Sequence, residues 1–198
     1  MKNSHTFSQQ KLFENKHFTS GTEFGGALLG KGHAKRARPL STKQAMHVVM
    51  RSSLAKGAWS LRTSRNLKAI ERSLKKISGR FGIKVYRYAI VGNHIHLLIK
   101  LSNRFTFAPF IRAFTGMVAM LVTGSSKIKM LAAKFWDAVP WSRIVEWGKA
   151  YRAAQAYVFQ NEMEACGAVP YSERKKSSER KGNSGQKRTG FPPRTSSC

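Results

Sequence analysis

The run Val91-Gly92-Asn93-His94-Ile95-His96-Leu97-Leu98-Ile99-Lys100 places two histidines on either side of one bulky apolar residue. The apolar, β-branched character of the run predicts a strand. Side chains alternate across a strand, so His94 and His96 share one face and Ile95, Leu97 and Ile99 share the other. The apolar set can face a core while two imidazoles stand side by side on the opposite surface. Neutral imidazole nitrogens are good metal ligands, so this is a two-point metal clamp. A His-x-His pair also arises by chance as a surface or hydrogen-bonded pair, and the remainder of the chain decides between the two readings.

A second constellation lies near the C-terminal end of the apolar pattern. Trp147, Tyr151, Ala154 and Val158 recur at helical spacing and form one apolar stripe. Tyr157 sits at the edge of that stripe, and Asn161 follows one turn later on the same side. A phenol and a side-chain amide thus project together. Tyr151 lies on the stripe itself and is expected to pack.

The elements that must position these groups follow from the pattern. Met46 to Ser53 alternates as a strand, with His47, Val49 and Arg51 on one face. Thr63 or Ser64 can cap a helix carrying Leu67, Ile70, Leu74 and Ile77, ending at Gly79 and Gly82. Ile83 to Val91 is a strand, and the Gly92-Asn93 turn makes it the antiparallel neighbour of the histidine strand. Phe107 to Val122 reads as a helix with Pro109 in its first turn. Val139 to about Val145 reads as the last strand, with Pro140 at its start. A final helix runs from about Trp147 to Ala165. The order βαββαβ plus a C-terminal tyrosine-bearing helix predicts an α+β fold, a ferredoxin-like antiparallel sheet with helices on one face.

Charge narrows the partners. The 198 residues hold 36 Lys+Arg against 9 Asp+Glu, a net charge of +27. Such a field attracts polyanions, with nucleic acid first and an anionic membrane surface second. Residues 1–42 are polar, Gly-rich and basic, and are expected to form a flexible arm whose Lys35, Arg36 and Arg38 contact phosphates. Residues 169–198 read as a basic disordered tail, leaving 43–168 as the compact domain that carries both constellations. Arg51, Arg87, Lys100, Lys127 and Lys129 are further candidate nucleic-acid contacts. Cys166 and Cys198 show neither metal spacing nor a disulfide framework. The apolar run Phe110 to Val122 contains Arg112 and is too short to span a bilayer. The N-terminus lacks the apolar core of a secretory signal. A cytoplasmic protein with no membrane partner is expected.

The combination of Asn93-His94-Ile95-His96-Leu97-Leu98 with Tyr157-Val158-Phe159-Gln160-Asn161 on a later helix resembles the HUH single-strand DNA transposases. It is most similar to the insertion-sequence 200-like and REP-associated tyrosine transposase branch, over roughly residues 44 to 167. The His47-Val48-Val49 strand start, the Phe135-Trp136 pair and the Ala165-Cys166-Gly167 ending match in placement. Gly92 stands where the family usually has proline, and Glu162 where proline often follows the helix asparagine. Neither change removes a chemical group.

The resemblance implies a metal-dependent single-stranded DNA endonuclease and strand transferase. His94, His96 and the amide oxygen of Asn161 would hold one divalent ion, Mg²⁺ or Mn²⁺, acting as a Lewis acid on the scissile phosphate. Tyr157 would be the nucleophile, giving a 5′-phosphotyrosine and a free 3′-hydroxyl. A free phenol has a pKa of about 10 and must lose its proton as it attacks. The implied partner is hairpin-bearing single-stranded DNA. Whether Tyr157 acts within its own chain or across a homodimer stays open. The alternative is a non-catalytic basic DNA- or RNA-binding protein derived from such a transposase.

Overall fold

The computed structural model describes residues 21–29, 37–126, 128–129 and 131–170. Five strands form one sheet: β1 (Glu23–Phe24), β2 (Ala45–Arg51), β3 (Ile83–Ile90), β4 (His94–Leu101) and β5 (Trp141–Val145). Their spatial order is β1-β5-β2-β4-β3, and every pairing is antiparallel. Three helices accompany them: α1 (Ser64–Arg80), α2 (Phe107–Thr123) and α3 (Lys149–Ala165). From β2 to β5 the order is βαββαβ, and α3 follows. This is the ferredoxin-like plan that the sequence predicts.

Local chemistry explains the boundaries. Thr63 caps α1, its side chain accepting from the Asn66 N–H. Ile70, Leu74 and Ile77 line its buried face. Gly124, at φ 69°, closes α2 in the left-handed conformation and donates its N–H to Met120 O. Phe107, Phe110, Phe114, Val118 and Val122 are the buried stripe of α2. The segment Arg104–Thr123 is long and apolar enough to cross a membrane by length and composition. That stripe, packed in the core beneath the sheet, accounts for much of its apolarity.

The two sheet faces have separate tasks. Met46, Val48 and Met50 of β2 join Ile95, Leu97, Ile99 and Leu101 of β4 in the main core with α1 and α2. Each such side chain, once fully buried, contributes about 2 kcal/mol. The opposite face carries Ala45, Leu98 and Val145, which pack against Ala154 of α3, and Ala89, which packs against Tyr157 and Val158. The two helices of the βαββαβ unit therefore share one face as expected. Among the described helices, the tyrosine helix is the one that covers the other face, over the histidines.

The expected arm over residues 1–42 behaves differently where it is described. Glu23 and Phe24 pair with Arg143 and Ser142, adding a strand beside β5. Gly25, at φ 90°, makes the turn that follows, and a Cβ there would meet Pro140 O. Arg38, expected among the phosphate contacts, also has partners within the fold. Its guanidinium lies 4.4 Å from the ring centre of Phe24 and 5.3 Å from that of Phe107. It donates to Ser142 Oγ and, at 2.9 Å, to Pro140 O. Burial lowers its pKa to about 10. Arg38 thus acts as a latch holding the N-terminal segment to β5, with one donor on each terminal nitrogen spent within the protein. Lys35, Arg36 and Lys127 lie outside the described residues, as does residues 171–198 of the expected tail.

Candidate active site

The site is built on β4 and closed by α3. The register places Arg51 opposite His94, and Val49 and Ala89 opposite His96. Both histidines are buried on the α3 side of the sheet. Their ring centres are 4.8 Å apart, with planes crossing at 82°. The alternation read from sequence therefore does bring two imidazoles together.

Each histidine has a partner at Nδ1. His94 Nδ1 lies 2.7 Å from Asn93 Oδ1. An amide oxygen only accepts, so the proton sits on His94 Nδ1 and the ring lone pair on Nε2. His96 Nδ1 lies 3.1 Å from His47 Nε2. The rings of His47 and His96 are only 16° from coplanar with centres 5.3 Å apart, which fits an in-plane, end-to-end hydrogen bond. Burial, with the nearby Arg143 charge adding to it, pushes the His47 pKa down to about 3. A neutral His47 can accept at Nε2 from His96 Nδ1–H, which puts the His96 lone pair on Nε2 as well. A partner that fixes the tautomer in this way is usual for metal-binding histidines.

Tyr157 is 4 % exposed. Ala154 and Val158 anchor α3 on the sheet, and the small Ala89 leaves room for the phenol ring. That ring meets His96 edge-on, centres 5.5 Å apart, and His47 at 6.0 Å. Asn161, one turn later, is also buried. Its Nδ2 donates to Tyr157 O at 2.8 Å, which leaves Oδ1 as the remaining donor atom for a cation.

The donor set suits a divalent ion. No cluster of three or more His, Cys, Asp or Glu that could hold a metal occurs among the described residues. Two imidazoles, which favour borderline transition ions, and an amide oxygen, which suits harder ones, nonetheless make a mixed set able to ligate a divalent cation. His94, His96 and Asn161 would be its protein ligands.

The sequence-selected basic residues divide. Arg51 is beside His94 in register and lies 4.0 Å from Asp137 Oδ2. Arg87 lies 3.4 Å from Glu162 Oε2, with its guanidinium 4.8 Å from the ring centre of Phe159. These two flank the site. Lys100 is at the other end of β4, near Trp147. Lys129 is exposed in the loop between α2 and β5. Two residues not selected as site residues also face α3. His47 was legible as a strand residue, but its hydrogen bond to His96 depends on a pairing between distant segments. Arg143 is a buried cation opposite His47, 4.0 Å from Glu23 Oε1. Its alternation with Trp141 and Val145 was the available signal.

The family model "Transposase IS200 like" matches residues 41–159, more than half of the chain. The chain belongs to the IS200-like transposase family. The structure of a REP-associated tyrosine transposase bound to a REP hairpin is similar to it, with 13% identity and a TM-score of 0.53. That match covers 67% of this chain and 74% of the other. A crystal structure of a candidate transposase from Deinococcus radiodurans R1 matches at 16% identity and a TM-score of 0.41, over 65% of this chain and 98% of that one. No curated protein matches the chain. The family match spans β2 to β5 and most of α3, including His94, His96 and Tyr157. This IS200-like transposase therefore has all three within its family region, and Asn161 lies just beyond it.

Proposed function

We propose that this IS200-like transposase is a metal-dependent single-stranded DNA endonuclease and strand transferase, with residues 43–168 as the catalytic unit and Tyr157 as nucleophile. The observation that carries the reading is the Tyr157 ring set edge-on against His96, 5.5 Å between centres, with His94 beside it. The candidate nucleophile and both candidate histidine ligands lie together on one sheet face, with the buried Asn161 one turn further along the tyrosine's helix.

A divalent ion held by His94, His96 and Asn161 would supply Lewis-acid polarisation of the scissile phosphate. The chain's own residues do the rest. Tyr157 Oη attacks phosphorus as its proton passes to solvent, the same pool that protonates the leaving oxygen. The Tyr–O–P bond forms as the P–O3′ bond breaks, and the departing 3′-oxygen takes up a proton. Phosphodiester energy is kept in the 5′-phosphotyrosine, so a 3′-hydroxyl can later reverse the step without ATP. The buried Arg143 adds positive potential on the same face, favouring an approaching phosphate. Packing of α3 over the sheet holds the phenol in position and limits water access. The structural neighbour's hairpin ligand supports hairpin-bearing single-stranded DNA as the partner.

The test is cleavage of labelled hairpin DNA drawn from sequences flanking the gene, with Mn²⁺, Mg²⁺ or EDTA. The expected result is a covalent protein–DNA adduct that needs metal and disappears in Tyr157→Phe. Binding without any adduct, equal in both proteins, would favour a non-catalytic DNA-binding protein.

A further inference from the structure

Away from the histidines, the junction of α3 and β3 carries a second ordered set of side chains. Trp147, just before α3, is 44 % exposed. Its ring meets Tyr151 at 4.7 Å and Tyr86 at 5.7 Å, and Tyr86 meets Tyr151 at 5.6 Å. Lysines bracket this cluster. Lys84 Nζ lies 5.2 Å from the Tyr86 ring centre, and Lys100 Nζ 6.0 Å from that of Trp147. Further along α3 the theme repeats: Phe159 is 46 % exposed, with the Arg87 guanidinium 4.8 Å from its ring centre.

Core packing accounts for Tyr86 and Tyr151, which lie against Ala154 and Leu98. It does not account for large apolar rings left half in water with cations held over them. Alternating π-faces and ammonium or guanidinium groups match a strand of stacked bases with charged phosphates between them. The two aromatic stations are joined by the length of α3, about 15 Å from Lys149 to Phe159. An open groove of about 660 Å³ runs beside them along the edge of β3, lined in part by Tyr86, Arg87, Arg72 and Lys75. Its two acids are engaged: Glu71 accepts from Tyr88, and Glu162 pairs with Arg87. The second station borders the site, because Ala89, two residues beyond Arg87, packs on Tyr157.

We propose that Trp147 and Phe159, with Lys84, Lys100 and Arg87, form a track for unpaired DNA that leads the single strand along α3 to Tyr157. The occupant is single-stranded DNA, since an anionic, base-bearing chain complements both the rings and the net charge of +27. The assignment rests on the proposed DNA-cleaving function for its direction, but its test does not require cleavage.

Affinity for a short labelled oligothymidylate is measured over a salt series, using the full chain carrying Tyr157→Phe. Adding Trp147→Ala is expected to weaken binding about tenfold, the loss of one stacked base, whereas Trp147→Phe keeps most of the affinity. Lys84→Ala with Lys100→Ala leaves the fold untouched at the surface and should reduce the slope of log affinity against log salt by about 1.4. An unchanged slope in the lysine variant would overturn the track, as would full affinity in a folded Trp147→Ala protein. Tighter binding of oligouridylate than of oligothymidylate would reassign it to RNA. Adduct formation with unaltered binding in these variants sinks the track alone, and track-dependent binding without any adduct sinks the cleavage chemistry alone.

Discussion

His47 Nε2 and His96 Nδ1 lie 3.1 Å apart between two buried, nearly coplanar imidazoles. The candidate ligand His96 is therefore oriented from behind by a residue on the neighbouring strand. Replacing His47 by Ala removes the hydrogen-bond partner of His96 Nδ1. Mn²⁺ affinity, read by titration calorimetry, is expected to fall by about 10–100-fold. His47→Gln, whose amide oxygen can accept, should recover part of it. Equal affinity in all three proteins would refute the positioning role.

Asn161 offers a second measurement. Asn161→Leu should abolish metal-dependent adduct formation while Asn161→Asp retains an oxygen donor and with it substantial activity. Loss of the bond from Nδ2 to Tyr157 O costs about 1 kcal/mol in Asn161→Leu, and more in Asn161→Asp, whose oxygen faces that carbonyl, so melting temperatures separate folding from ligation.

Arg38 distinguishes a latch from a phosphate-contacting arm. Arg38→Ala should lower stability by about 2 kcal/mol, from lost cation–π contacts and hydrogen bonds around β1 and β5. The salt dependence of DNA binding should not change. A reduced salt slope with unchanged stability would restore the arm reading.

Gly25→Ala probes the same corner through the backbone. At φ 90° an L side chain is strained, and its Cβ would press on Pro140 O. A destabilisation of about 2–4 kcal/mol is expected in chemical denaturation.

Alkaline stability has a specific origin at Tyr88. Burial, then the Glu71 carboxylate and its hydrogen bond, raise this phenol above its ordinary value of 10. The folded state thus favours the protonated phenol. That contribution is fully present below about pH 10 and is lost as pH climbs through the raised value. Tyr88→Phe should flatten the pH dependence of the melting temperature in this range.

Much of the site was legible because strand and helix periods act locally. Alternation alone placed His94 and His96 together, and helical spacing put Tyr157 and Asn161 on one side. The strand expected over Val139 to Val145 begins at Trp141, because Pro140 lends its carbonyl to Arg38 and cannot donate to the ladder. The final helix starts at Lys149, so Trp147 stands ahead of it and half outside the core. What stayed hidden depends on distant partners. Two residues, Glu23 and Phe24, carry no strand signal of their own, and pairing with β5 makes them one. Nothing near Arg38 in sequence announces Phe107 or Ser142 as its neighbours. The hydrogen bond between His47 and His96 likewise spans 49 positions.

The ends of the sheet bear on how the molecule keeps to itself. On one side β1 offers only two residues, too short a template for a foreign strand to build on. On the other, β3 breaks its register between Val85 and Arg87 and sets Lys84 and Arg87 along the rim. A second copy, equally positive, would meet a kinked edge lined with like charge. Edge-to-edge polymerisation is thus discouraged by geometry at one end and by repulsion at the other, and neutralising that charge with a polyanion would lift only the second barrier.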